Sequence, residues 1–198
     1  RRSLAGWREE IERWIRKKEG EALLNVDIFF DCAPVFGDRA LAETLRAEAL
    51  ARALHAPAFL HLLAAELDNM HSSLGLFGFL RTEQGRFDIK RGGYLPIVTA
   101  VRVMALKHGV DALATRDRLS ALAALAVINA DDAANLARAY TLLIHRLLDQ
   151  QAADNGAGVK PSTRVDPRRL RPAPRAALHG ALRQTDLAAE IVRGSFGR

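Results

Sequence analysis

Apolar residues recur at helical spacing from the start of the chain. Trp7, Ile11 and Trp14 are separated by four and three residues, and charged residues fill the positions between them. This is the pattern of a helix with one apolar face, because 3.6 residues make one turn. The pattern predicts an amphipathic helix from about Ser3 to Lys18.

The same periodicity predicts six more helical segments downstream. The one that begins at Leu95 is apolar nearly all round, which is typical of a central, buried helix. The helix starts follow from N-cap signals, since we expect Asp38, Thr115, and Asp131 or Asp132 to cap the helices that follow them, and Pro57 fits a first turn. Two of the predicted helices have only a start, one at Asp38 and one at Thr115. The other four run from Pro57 to about Met70, from Leu95 to His108, from Asp131 or Asp132 to Gln151, and from Arg175 to Arg193.

Three segments between these helices lack helical spacing. Residues 26–38 are apolar but broken by a proline and a glycine, so they predict a buried loop or the end of a preceding helix. Residues 75–81 and 86–90 resemble two short strands around a polar turn and predict one β-hairpin. Residues 156–174 begin with glycines, continue rich in proline and arginine, and predict a flexible connector.

Composition supports the same architecture. Ala and Leu, which favour helices, occupy 35 and 29 of the 198 positions, and aromatic residues make up only 6%. A chain of this length forms about one domain. We therefore expect an all-α fold, an antiparallel bundle of six to seven helices with one short β-hairpin, in a single domain spanning 1–198. The chain begins without Met inside a helical pattern, so we expect it to be part of a longer protein.

Charge and cysteine content narrow the class of protein. The net charge of +6 comes from the ends, because residues 1–18 carry 7 basic and 3 acidic residues, and residues 160–198 carry 9 and 3. The body between them is acidic, which does not favour a nucleic-acid partner.

Cys32 is the single cysteine, so no intrachain disulfide can form, and we expect a reducing cytoplasm. No apolar run approaches the ~20 residues that span a bilayer, so no membrane partner is expected.

One charged residue interrupts the most apolar helix. Arg102 lies one turn from Val98 on that helix, and its guanidinium keeps its charge. A buried cation needs a carboxylate or an anionic ligand. The candidates in the chain are Asp31, in the apolar loop, and Asp88, in the predicted hairpin. The two interpretations are a structural ion pair and a polar pocket.

A second candidate site precedes the same helix. Lys90 and Arg91 are followed by Gly92 and Gly93 at the predicted helix start. Free backbone N–H groups and the helix dipole favour anions there, so the spacing is compatible with a phosphate site. The alternative is an ordinary basic turn.

Three further polar residues stand out on later helices. Arg118 lies in the first turn of its helix, where the dipole disfavours a cation, so it either has a specific partner or is simply exposed. Arg146 and Gln150 are one turn apart beside an apolar stripe and are either rim residues of a cleft or surface residues. The six histidines show no metal-binding spacing, and no nucleophile or phosphate-loop motif occurs, so no metal site or catalytic residue is predicted.

Five segments occur in an order that resembles the order of motifs in a known family. They are FFDCAPVFGD at residues 29–38, FDIKRGGYLPIV at residues 87–98, Arg102 with Ala105-Leu106, Thr115 with Arg118-Leu119, and Arg146 with Gln150. This order resembles the nucleotidyltransferase substrate-binding domain family, the helical partner of a catalytic domain in bacterial signalling proteins that also carry CBS or cyclic-nucleotide-binding domains. Looser versions of the two long motifs are similar to the region after the catalytic core of PII uridylyltransferases.

The resemblance implies a role in nucleotidyl transfer. The metal and its carboxylates would lie in an upstream catalytic domain, so this segment alone would not catalyse. A nucleoside triphosphate and Mg²⁺ are implied for the complete protein, with a protein or a small molecule as acceptor. The residues implied in substrate or nucleotide binding are Asp31, Asp88, Lys90, Arg91, Gly92, Gly93, Arg102 and Arg118, with Arg146 and Gln150 at the rim.

One position departs from the family pattern. The first family motif has an arginine where this chain has Ala33, so any anion contact of that arginine would have to come from another cation such as Arg91. A regulatory or docking module without nucleotide contacts therefore remains as an alternative. Apolar bundles of this kind often dimerise, so a homodimer is a further expectation, although no heptad repeat supports it.

Overall fold

Helices account for most of the chain in this computed structural model, which describes residues 2–16, 28–75 and 77–197. The all-α prediction is confirmed, because seven α-helices and a single pair of two-residue strands occur in these ranges. The helices are α1 (Leu4–Arg16), α2 (Arg39–Leu54), α3 (Pro57–Ala65), α4 (Leu95–Lys107), α5 (Thr115–Ala124), α6 (Ala130–Gly156) and α7 (Pro172–Ser195).

Two helix starts follow the sequence signals. The carboxylate of Asp38 accepts the backbone N–H of Ala40 at 2.9 Å and so caps α2. Pro57 occupies the first turn of α3, where its missing N–H costs no hydrogen bond. A 3₁₀ turn, Glu66–Asn69, completes the predicted run to about Met70. The predicted end of the first helix at Lys18 lies outside the described residues.

Other boundaries differ from the prediction. Asn129, not Asp131 or Asp132, caps α6, because its side chain accepts the N–H of Asp131 at 2.8 Å from an extended backbone. That helix continues past Gln151 to Gly156, so helix replaces the start of the predicted connector. The N-cap of α5 is Ala114 rather than Thr115, and no side chain caps that end. Helix α7 begins three residues before Arg175, because Pro172 fits a first turn.

The strand pairing also differs from the predicted hairpin. Strand β1 (Phe87–Asp88) pairs antiparallel with β2 (Arg164–Val165), which lies in the segment between α6 and α7. In the described part of this segment, residues 75 and 77–81 form no strand, and Leu74 and Leu80 make only an isolated bridge. The edge of β1 is therefore occupied by a segment distant in sequence. A 3₁₀ turn (Pro167–Arg169) follows β2.

Helix α4 lies at the centre, as its apolar surface predicts. Ile97, Val101 and Met104 are at most 2% exposed, and Arg102 is buried among them on the same helix. Helix α4 packs against α7, α5, α3 and α2, and α6 packs against α5 and α7. No helix in the described ranges is both long and apolar enough to cross a membrane. The fold thus places Arg102 of α4 where the loop before α2 and the start of α5 reach it.

Candidate functional site

Asp31 joins three parts of the fold through two arginines. Its carboxylate forms an ion pair with Arg102 of α4 and accepts a hydrogen bond at 2.7 Å from Arg118 of α5. Both guanidinium side chains are buried, at 8% and 4% exposed, whereas Asp31 is 37% exposed. Of the two candidate partners for Arg102, the structure thus selects Asp31. The predicted specific partner of Arg118 is the same carboxylate.

Arg118 is held by further hydrogen bonds. Its Nε donates to the carbonyl of Ala112 at 2.8 Å, and an Nη donates to the carbonyl of Phe30 at 3.3 Å. The guanidinium therefore ties the loop before α5 to the loop before α2. Two cations thus face the Asp31 carboxylate. An arrangement of this kind can stabilise the fold and can also attract an anionic group.

The two arginines keep Asp31 ionised. Partial burial favours the neutral acid, but the hydrogen bond and charge of Arg102, followed by those of Arg118, outweigh it and lower the pKa of Asp31 below its usual range. The carboxylate is therefore a permanent acceptor at neutral pH. Because Asp31 is the exposed member of the cluster, its free lone pairs can receive hydrogen bonds from a ligand.

A cavity of about 600 Å³ opens beside Asp31. Its volume is within the range of small-molecule sites. The wall combines three hydroxyls, two carboxylates and one cation with three apolar side chains, so it offers both hydrogen-bonding and apolar groups. The lining residues are Asp31, Val98, Leu113, Ala114, Thr115, Arg116, Asp117, Ser120 and Tyr140.

Tyr94 is the residue immediately before α4. Burial raises the pKa of Tyr94, and so do the charges of Asp88 and Tyr140. The three side chains are therefore within electrostatic reach of one another. Tyr94 precedes Val98 by one helical turn, so both share the face of α4 that leads from Asp88 towards Asp31.

The carboxylate of Asp88 accepts hydrogen bonds from the backbone and does not pair with Arg102. It accepts the N–H groups of Lys90 and Arg91 at 2.9 and 3.1 Å, and thereby caps a π-helical turn, Lys90–Tyr94, that leads into α4. These N–H groups, predicted as part of an anion site, are thus already occupied. The side chains of Lys90 and Arg91 are exposed and make no ion pair with another described residue. Their contact with a nucleotide stays a prediction.

The two glycines of this turn are required by packing. A Cβ on Gly92 would lie 2.0 Å from the hydroxyl and 3.0 Å from the backbone nitrogen of Ser73. A Cβ on Gly93 would lie 3.3 Å from Ile89 and 3.5 Å from Leu143. Both glycines are buried. Their conformation serves the close approach of neighbouring backbone, and this explains them without a bound anion.

The predicted rim residues have different environments. Arg146 lines a second cavity of about 420 Å³ and pairs with Asp149 at 2.9 Å. Gln150 is buried, at 7% exposed, and its amide donates to Asp154 at 2.8 Å. Asp154 also accepts the N–H of Ser162 at 3.1 Å. Gln150 therefore fixes the segment after α6 instead of facing a cleft.

Several residues that line the cavities carry no local sequence signal of a site. Arg116, Arg138 and Tyr140 line the two cavities, and Arg116 borders both. Their pattern is that of ordinary helix-surface residues, because the cavities form only where α5 and α6 meet. The position of Arg116 next to Thr115, at an uncapped helix start, is the one feature that could have drawn attention to it.

Comparison with known proteins gives one result. A family model described as "Putative nucleotidyltransferase substrate binding domain" matches residues 57–196, which is 140 of the 198 residues. The chain belongs to this family. No curated protein and no solved structure matches it. The matched range includes Asp88, Lys90, Arg102 and Arg118, whereas Asp31 lies before it.

Proposed function

We propose that this chain binds a nucleotide, or the acceptor of the nucleotidyl group, and holds it against a nucleotidyltransferase catalytic domain. Family membership supports the general role. The observation that carries the proposal is the position of the Asp31 cluster, in which two buried arginines face an exposed carboxylate at the wall of a polar cavity. Such preorganised charge positions a substrate at little entropic cost.

The lining groups fit the sugar and base of a nucleotide. Asp31 accepts hydrogen bonds from ribose hydroxyls or a base amine, and Ser120 and Tyr140 both donate and accept. Arg116 supplies a cation at the edge of the cavity towards α6. The acceptor of a PII-uridylyltransferase-like reaction would then approach from the side that the catalytic domain occupies.

The cluster does not fit a divalent metal ion. The Asp31 carboxylate is already committed to Arg102 and Arg118, whose charges repel a cation. The Mg²⁺ that accompanies a nucleoside triphosphate therefore belongs with the carboxylates of the catalytic domain. The residues of this chain bind and orient, and the transfer step takes place on the partner domain.

Calorimetric titration tests the binding role. ATP, UTP, GTP and CTP, each with Mg²⁺, are titrated into the 198-residue chain and into Asp31→Asn and Tyr140→Phe. We expect saturable binding of at least one nucleotide, weakened about fivefold or more in either variant, because each loses a hydrogen-bonding group. Glu83→Gln is the matched control, since Glu83 forms an exposed ion pair with Arg164 and lines neither cavity, and should change the affinity less than twofold. The nucleotide role is refuted by absence of binding at millimolar concentration, or by equal affinity in all variants.

A second candidate, the docking module, is favoured by one specific observation. Val35 and Phe36 are 98% and 100% exposed, four and five residues after Asp31. Fully exposed apolar side chains of this size suit a protein partner. Under the main proposal the catalytic domain covers them and borders the Asp31 cavity. The docking alternative is supported if Val35→Ser with Phe36→Ser releases a partner domain while nucleotides never bind.

A further inference from the structure

The second cavity collects cations from two helices. It lies between α5 and α6 and has a volume of about 420 Å³. Arg116 reaches it from α5, and Arg138, His145 and Arg146 reach it from one face of α6, because their spacing of seven and eight residues equals about two turns. Small or short side chains, Ala137 and Thr141, leave room between them. The site is therefore an arginine-lined cavity rather than a flat basic surface.

These arginines are poorly neutralised within the described part of the chain. Arg146 pairs with Asp149, Arg138 donates to the amide oxygen of Asn135, and Arg116 has no carboxylate partner among the described residues. The three guanidiniums thus face one carboxylate. Asp31 and Asp117 line the neighbouring cavity, and neither carboxylate lines this one.

One donor of a cavity-lining arginine lacks an acceptor. The Nε of Arg146 is shielded from solvent and has no hydrogen-bond partner among the described residues. A buried donor without a partner is unfavourable, and such groups are nearly always satisfied in native proteins. A rotation of this side chain towards an oxyanion in the cavity would satisfy the donor, so the observation is compatible with an anionic ligand.

We infer that the cavity between α5 and α6 is a phosphate site, with Arg116, Arg138 and Arg146 as the groups that hold the phosphate oxygens. Planar guanidinium groups match phosphate geometry with paired hydrogen bonds. Arg116 also borders the Asp31 cavity, so a ligand with its sugar and base beside Asp31 can extend its phosphates here. The inference rests on the proposed function only for the identity of this ligand as a nucleoside triphosphate.

The test uses inorganic tripolyphosphate, which has no sugar or base. It is titrated calorimetrically into the 198-residue chain and into Arg116→Gln and Arg138→Gln. The matched control is Arg183→Gln, because Arg183 is an exposed helix arginine without an ion pair and lines neither cavity. We expect saturable binding that each cavity variant weakens about tenfold or more and that the control leaves within twofold. Far-ultraviolet circular dichroism shows whether each variant keeps its helices.

Each other outcome is decisive. Absence of saturable binding, or an equal loss in the control variant, overturns the phosphate site, because the attraction is then absent or reflects net charge alone. The Asp31→Asn variant separates this inference from the proposed function, since it should not weaken tripolyphosphate binding. If tripolyphosphate binds but Asp31→Asn does not weaken nucleotide binding, the proposed function is refuted and the phosphate site is retained. If Asp31→Asn weakens nucleotide binding but tripolyphosphate does not bind, only the phosphate site is refuted.

Discussion

Removal of the Asp31 carboxylate should destabilise the fold measurably. In Asp31→Ala the buried side chains of Arg102 and Arg118 lose their shared counter-ion. Loss of one partner of a fully buried ion pair costs about 3–5 kcal/mol, because a desolvated charge remains. Exposed pairs contribute about 0–1 kcal/mol. Asp31 lies between these limits.

The structure places the expected value near the middle of this range. Asp31 is 37% exposed, so water can partly replace it. Arg118 also keeps its hydrogen bonds to the carbonyls of Ala112 and Phe30. We therefore expect the variant to lose about 2 kcal/mol of unfolding free energy. For a chain of this size, that loss lowers the melting temperature by about 4–8 °C.

Urea unfolding followed by circular dichroism at 222 nm measures this loss. Glu83→Ala is the control, because Glu83 and Arg164 are 78% and 47% exposed in their ion pair, so its loss should cost about 0.5 kcal/mol or less. The reasoning is refuted if Asp31→Ala is no less stable than Glu83→Ala at pH 7. Such a result would mean that the two arginines are satisfied without Asp31.

Three further outcomes are expected in the same assay. Because the folded protein lowers the pKa of Asp31, its stabilising contribution is complete above the unfolded pKa of about 3.9 and is lost as the pH falls through the folded value, so wild type and Asp31→Ala should converge in stability only below that folded value. Gly92→Ala should lose about 1–3 kcal/mol through its clash with Ser73, whereas Gly180→Ala, inside α7 with open space, should gain up to about 1 kcal/mol. Asp154→Ala should lose about 2 kcal/mol, because the buried amide of Gln150 and the part-buried N–H of Ser162 lose their acceptor. Equal stability of the two glycine variants, or no loss in Asp154→Ala, would contradict the packing described here.

Local sequence signals were sufficient for the helices and for the charged residue at their centre. The apolar surface of α4 predicted its central position, and the permanent charge of Arg102 predicted a buried partner. The partner itself had two candidates, because nothing local distinguishes Asp31 from Asp88. The choice follows from tertiary packing, which assigns the Asp88 carboxylate to the backbone of the following turn.

Long-range features could not be predicted in the same way. Strand β1 was expected to pair within a hairpin, but its edge is filled by β2, more than seventy residues later. The identity of a strand's neighbour depends on which segment packing brings to its edge. The cavity between α5 and α6 is likewise a product of helix packing, so Arg116 and Arg138 look like ordinary surface residues in the sequence. The residues that carry the phosphate inference were therefore visible only in the structure.

We propose that one nucleotide binds across the two cavities that Arg116 borders. Backbone amide chemical shifts locate the bound nucleotide when the isotopically labelled chain is saturated with each Mg²⁺–nucleoside triphosphate. We expect one nucleotide to shift the amides of Asp31, residues 115–120 and residues 137–146 together, with small changes elsewhere. Shifts confined to a different surface, or no shifts with any of the four nucleotides, would contradict it.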